Sequence, residues 1–101
     1  MDKIRNLAIK KASQSISRFR ISAIALNERG NILGTAVNRP RFDRYGGGVH
    51  AEMAILHKYN TQVKTIIICR IGNSGNILPI HPCIRCKKVL DKLGIKVYSI
   101  V

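Results

Sequence analysis

Between Asp2 and Ser17 the apolar residues Ile4, Leu7, Ala8, Ala12 and Ile16 recur at three- and four-residue spacing, the period of a helix with one buried face. The pattern then changes. Phe19 to Leu26 is β-rich, the turn-forming cluster Asn27-Glu28-Arg29-Gly30-Asn31 follows, and Ile32 to Val37 is apolar again, which predicts a hairpin. Asn38 to Gly48 holds Pro40 and the triplet Gly46-Gly47-Gly48 and reads as a loop of unusual backbone freedom. A second helix is predicted from about Val49 to Tyr59, carried by Ala51, Ala54 and Ile55. Val63 to Ile71 is nearly continuous in β-branched residues, as suits a central strand covered on both faces. After turn residues Gly72 to Asn76, Pro82 precedes a helix over Cys83 to Leu93 with Gly94 at its end. Ile95 to Val101 closes the chain as a fourth strand. The order αββαβαβ predicts an α/β layered sandwich.

Length and composition narrow the class. The 101 residues fit one domain, residues 1–101, and 46% hydrophobic with 23% charged residues is the balance of a chain that folds. No apolar run approaches the ~20 residues of a membrane span, and the N-terminal stretch lacks the apolar segment of a secretory signal. A soluble chain in the reducing cytoplasm is therefore expected. Eighteen Lys and Arg against five Asp and Glu give a net charge of +13, spread over both halves, a field that attracts phosphate. It does not choose among solubility, nucleotides, nucleic acid and an acidic partner, because that attraction is independent of sequence. Three cysteines, an odd number, favour metal or catalytic use over a disulfide framework.

Three segments carry chemical potential: His50-Ala51-Glu52, Pro82-Cys83-Ile84-Arg85-Cys86, and Asn38 before the first of them. Taken singly each has an ordinary reading. His50 could cap a helix, Glu52 could be solvated, and Cys83 with Cys86 could be a redox pair or two inert thiols. Taken together, both pairs fall in the predicted first turn of a helix, where backbone donors and partial positive charge favour thiolate at Cys83 and Cys86. Three-residue spacing puts both sulfurs on one face. One imidazole and two thiolates make a tetrahedral zinc site with its fourth position open, as catalytic zinc requires. Glu52, roughly 200° around the helix from His50, need not be a ligand and can move protons.

The pairing of H-x-E with P-C-x-x-C is the signature of zinc-dependent nucleobase deaminases, and the chain resembles the cytidine deaminase-like superfamily, to which the tRNA adenosine deaminases are related. The resemblance implies a three-layer α/β/α sandwich with a central mixed sheet. It implies zinc held by His50, Cys83 and Cys86, proton transfer by Glu52, and substrate contacts at Asn38 and Ala51. The activity it implies is hydrolytic deamination of a cytosine nucleoside or nucleotide. Deamination within nucleic acid is the nearest alternative, and an inactive zinc-stabilised nucleic-acid-binding module the next. Many members continue into a fifth strand and final helices that have no counterpart before Val101, and many are dimers or tetramers, so a homo-oligomer is expected. Arg39, Arg41 and Arg44 in the loop, with Arg85, Lys87 and Lys88, could grip phosphate; Phe42 and Tyr45 could stack on a base or pack the loop. Cys69, inside an apolar run, reads as a small buried hydrophobe.

Overall fold

The β-branched run in the middle of the chain becomes the spine of the sheet. A computed structural model describes residues 2–14, 20–40, 48–49, 51–59, 62–72, 74–80 and 84–100. Helix α1 is Asp2–Ala12; strands β1 (Arg20–Leu26) and β2 (Ile32–Val37) form the predicted hairpin. A two-residue ladder, β3 (Arg39–Pro40) with β4 (Gly48–Val49), precedes α2 (Ala51–Tyr59). Then come β5 (Thr65–Ile71), β6 (Ile77–Leu78), α3 (Ile84–Lys92) and β7 (Lys96–Ser99).

Strand β5 is buried over most of its length and pairs with three others. It lies antiparallel to β1 on one side; on the other, β6 pairs antiparallel with its carboxyl end and β7 parallel with its amino end. The sheet is therefore mixed. Side chains alternate across it. Ile66 and Ile68 of β5 join Ala23 and Ala25 of β1 in one cluster with Ala51, Ile55 and Leu90, so α2 and α3 cover that face. Ile67, Cys69 and Ile71 join Ile24 and Leu26 in a second cluster with Ala8 and Ala12 of α1. Three layers result, as expected.

Three boundaries differ from expectation. The first helix stops at Ala12 instead of Ser17: the Ser13 hydroxyl donates to the Lys10 carbonyl at 2.6 Å, and Gln14 N–H turns back to Lys11 O at 3.0 Å, a local alternative to the helical ladder. The expected loop from Asn38 to Gly48 begins and ends in the β3–β4 ladder, in which Arg39 faces Val49 and Pro40 faces Gly48. Pro40 brings no N–H, which keeps such a ladder short. Strand β6 is an addition, held by Gly72 N–H on Asn76 O at 2.9 Å and a turn with Gly75 at φ 83°. At the other end of α3, Gly94 N–H bonds Asp91 O at 3.1 Å and Ile95 N–H bonds Leu90 O at 2.9 Å. That is the Schellman arrangement, with Gly94 at φ 73°.

Candidate active site

Strands β2 and β5 both run antiparallel to β1 and hence parallel to each other, so the helices that follow them start at the same end of the sheet. Helix α2 returns from the carboxyl end of β2 toward the amino end of β5. Its last residue, Tyr59, brings the tip of its phenol against Gly34, where any added side chain would collide with it. Nine helical residues span about 12 Å, and the strand from Gly34 to Asn38 spans about 13 Å. The start of α2 therefore stands over the end of β2. Helix α3 finishes where Lys96 N–H bonds Lys64 O at 3.1 Å, beside the amino end of β5, so it too begins toward the carboxyl end. In open α/β sheets this is where ligands bind.

The sheet contributes its own row of residues there. Asn38 N–H donates to the Ile21 carbonyl at 3.1 Å, and the Asn38 carboxamide Oδ1 accepts from Ile21 N–H at 2.9 Å. Ile21 is paired with Arg70 on β5, and Arg70 with Leu78 on β6. Cross-strand partners share a face, and Ile21 packs into the cluster beneath α2 and α3. Asn38, Ile21, Arg70 and Leu78 thus form one row on the helix-covered face, at the end where both helices begin.

The expected site residues divide as follows. Ala51, the first residue of α2, is fully buried, its methyl group part of the core; what it can offer a substrate is backbone. Glu52 is in the first turn of α2, and Cys86, buried at 4% exposure, is the third residue of α3. Asn38 ends β2, and Arg39 lies in β3. His50, Cys83, Arg41, Arg44, Phe42 and Tyr45 lie outside the described residues, as do the side chains of Glu52, Arg39 and Arg85. Among the described residues no three His, Cys, Asp or Glu side chains come together. Lys87 and Lys88 are exposed on α3.

Two side chains sharpen the expectations. Cys69 is fully buried on the α1 face, and burial pushes its thiol above the ordinary value of 9.0, an effect partly opposed by the Arg5 guanidinium of α1. It is on the far side of the sheet from α2 and α3 and is no fourth ligand to a metal held by their first turns. Arg70 was passed over by the motif reading. Its signal was there, as the single charged residue in the strand Thr-Ile-Ile-Ile-Cys-Arg-Ile, but its meaning needs the register.

The donor set fits zinc. The described Cys86 is withdrawn from water in the first turn of a helix, His50 and Cys83 are each bonded in sequence to the first residue of one of two helices that begin at the same sheet end, and the set combines one imidazole with two thiols. Comparison with known proteins shows the family. The profile of the cytidine and deoxycytidylate deaminase zinc-binding region matches residues 1–101. No curated protein matches at a comparable level. Among solved structures, the cytidine deaminase of Mycobacterium tuberculosis is 27% identical, with a TM-score of 0.65 over 96% of this chain and 80% of that one. The cytidine deaminase of Mycobacterium leprae, 18% identical, has a TM-score of 0.67 over 97% and 86%. The deoxycytidylate deaminase of cyanophage S-TIM5, 19% identical, has 0.58 over 98% and 83%. The last two likenesses are of fold.

Proposed function

The chain belongs to the cytidine and deoxycytidylate deaminase zinc-binding family, and from that membership we propose that it hydrolyses the exocyclic amine of a cytosine nucleoside or nucleotide, giving the uracil product and ammonia. The observation that carries the reading is that α2 and α3 both start toward the sheet end at which Asn38 lies.

His50, Cys83 and Cys86 would hold a zinc ion, whose chemistry is to bring a water molecule to ionisation near neutral pH. Glu52 would accept one proton of the attacking water and give it to the ring nitrogen N3, then take the remaining proton from the oxygen added to the ring carbon and give it to the amine as the carbon–nitrogen bond breaks. Water and cytosine become uracil and ammonia, so the proton count closes on Glu52. The Asn38 carboxamide, with Oδ1 fixed on Ile21 N–H, keeps one orientation toward sugar or base. The Ala51 backbone is available at the same helix start. Arg39, Arg41 and Arg44 supply cationic reach for a phosphate.

Nucleic-acid deamination is the second reading, and the +13 charge is its support. Lys87, Lys88 and Lys92 are exposed on α3, and Lys96 and Tyr98 are exposed on β7. Salt separates the two, because a strand that releases many counterions loses affinity by orders of magnitude between low and physiological salt, whereas one or two phosphate contacts give a shallow slope. The shallow slope is expected. Among the described residues no helix is long and apolar enough to cross a membrane. The exposed Ile32, Val89, Leu93 and Tyr98 support a homo-oligomer; a sedimentation mass of one chain at all concentrations would contradict it. The deciding experiment is ammonia release from cytidine, deoxycytidylate, single-stranded DNA and tRNA with zinc-loaded protein.

A further inference from the structure

At the end of the sheet opposite to Asn38, the chain forms a cleft of about 380 Å³ between the β1–β2 turn and the residues that lead into β5, a size within the range of small-molecule sites. Both walls are tied down by backbone. On one side Asn27 locks the turn: its Oδ1 accepts from Arg29 N–H and Asn31 N–H, each at 3.0 Å, and its own N–H donates to Asn31 O at 3.0 Å. On the other, Lys64 N–H donates to Leu26 O at 2.9 Å and Lys64 O accepts from Lys96 N–H at 3.1 Å. The floor is the half-buried Leu33, which packs against the cluster beneath α2 and α3. Because those backbone groups already bond one another, a ligand meets side chains. They are Glu28, Arg29 and Asn31 from the turn, with Gln62 and Lys64 from the facing segment, all exposed. Leu33 and Asn38 are five residues apart along β2, about 17 Å, so an occupant of the cleft does not reach the row at the other end.

We infer that this cleft is a second binding site, for a sugar phosphate: a small polyhydroxylated ring carrying a phosphate monoester. Arg29 and Lys64 bring two cations to it from opposite walls, against the single carboxylate of Glu28. Like charges gathered in one concavity repel, and a doubly charged phosphate between them replaces that repulsion with attraction. A guanidinium fork meets two phosphate oxygens at once, and the Lys64 ammonium adds a point charge. Asn31 and Gln62 each offer amide donors and a carbonyl acceptor, and Glu28 offers acceptors, a set that suits hydroxyl groups, which both donate and accept. Leu33 lies beneath for the carbon face of the ring. An uncharged sugar lacks the first group of contacts, and a bare phosphate lacks the second. The inference stands apart from the deaminase reading, because it uses no residue of either motif.

The test is titration of the zinc-loaded protein with ribose 5-phosphate, ribose and inorganic phosphate, followed by calorimetry and by the side-chain amide signals of an isotope-labelled sample. Ribose 5-phosphate should bind at least about 10-fold more tightly than either of the other two, and it should move the signals of Asn31 and Gln62. Arg29→Gln and Lys64→Gln should each weaken it by about 10-fold or more, whereas Lys3→Gln, which removes an exposed cation of α1, should leave it within about twofold. No saturable binding overturns the inference. So does inorganic phosphate that binds as tightly as the ester, which would leave only an anion site, or a Lys3→Gln variant weakened as much as the other two, which would mean the general charge. Should a variant fail to fold, the wild-type signals decide alone: shifts at Asn38 without shifts at Asn31 and Gln62 place the ligand at the other end of the sheet and overturn the inference. Ammonia release plays no part in the readout, so a failure of the deaminase reading leaves this result as it stands.

Discussion

The two faces of the central sheet are made from the same strands and do different things. Under α1, Ile24, Leu26, Ile67, Cys69 and Ile71 meet Ala8 and Ala12 in an apolar layer. Its main polar contact, the Ser22 hydroxyl on the Ala8 carbonyl at 2.6 Å, ties helix to strand. Under α2 and α3 the layer is equally apolar along Ala23, Ala25, Ile66 and Ile68, but it ends in Asn38 and Arg70, where two helices begin. One face closes the fold, and the other is closed along its length and chemical at one end. The contrast between Cys69 and Cys86 shows it most plainly: both are buried, and only Cys86 sits at a helix start.

Substitutions of the two cysteines give the largest separation. Cys86→Ser should lose the roughly one zinc per chain measured by metal analysis, together with much of the thermal stability, because ligand loss is lost folding energy. Cys69→Ala should keep its zinc and cost on the order of 1 kcal/mol. Equal zinc loss in both would erase the distinction between the faces. Next, Glu52→Gln should retain zinc and fold while ammonia release falls by ~10² to 10⁴-fold; unchanged turnover would remove Glu52 from the mechanism. Neighbours on β5 provide a third comparison. Ile67→Ala and Ile68→Ala should each destabilise by roughly 2–5 kcal/mol in denaturant unfolding. Only Ile68→Ala, on the face beneath α2 and α3, should also raise the KM of the folded enzyme.

The smallest effect is in pH. Burial raises the Cys69 thiol above 9.0, so the native state keeps a proton that the unfolded chain gives up first. That contribution to stability is full below 9.0 and is lost as pH climbs from there toward the higher native value. The melting temperature of wild type should therefore drop more than that of Cys69→Ala over this range. A parallel pair of curves would mean that the thiol is not held in an apolar site.

Much of this was legible in the chain. The β-branched run announced β5, the Asn-Gly-rich cluster announced the hairpin, and Gly94 announced the end of α3, because each rests on local preference. Strand β6 and the β3–β4 ladder were not legible, since two-residue strands exist by pairing with a partner and not by their own propensity. The early end of α1 depended on one hydroxyl, that of Ser13. At the site, the motifs gave residue types and spacing, and the resemblance gave roles. That Asn38 locks itself to Ile21, that Arg70 shares its row, and that Cys69 is on the other face all follow from register, which a single sequence does not state. Helix starts at one sheet end are likewise a product of topology.

The account turns on whether the two helix starts form one zinc-dependent deaminating centre. Ammonia release from deoxycytidylate and cytidine should be followed with the zinc-loaded protein, after removal of the metal by a chelator, and after zinc is returned. The account predicts turnover that vanishes with the metal, returns with it, and is absent in Glu52→Gln at full zinc content. Turnover indifferent to zinc, or none from any cytosine substrate in a folded protein carrying one zinc per chain, would contradict it.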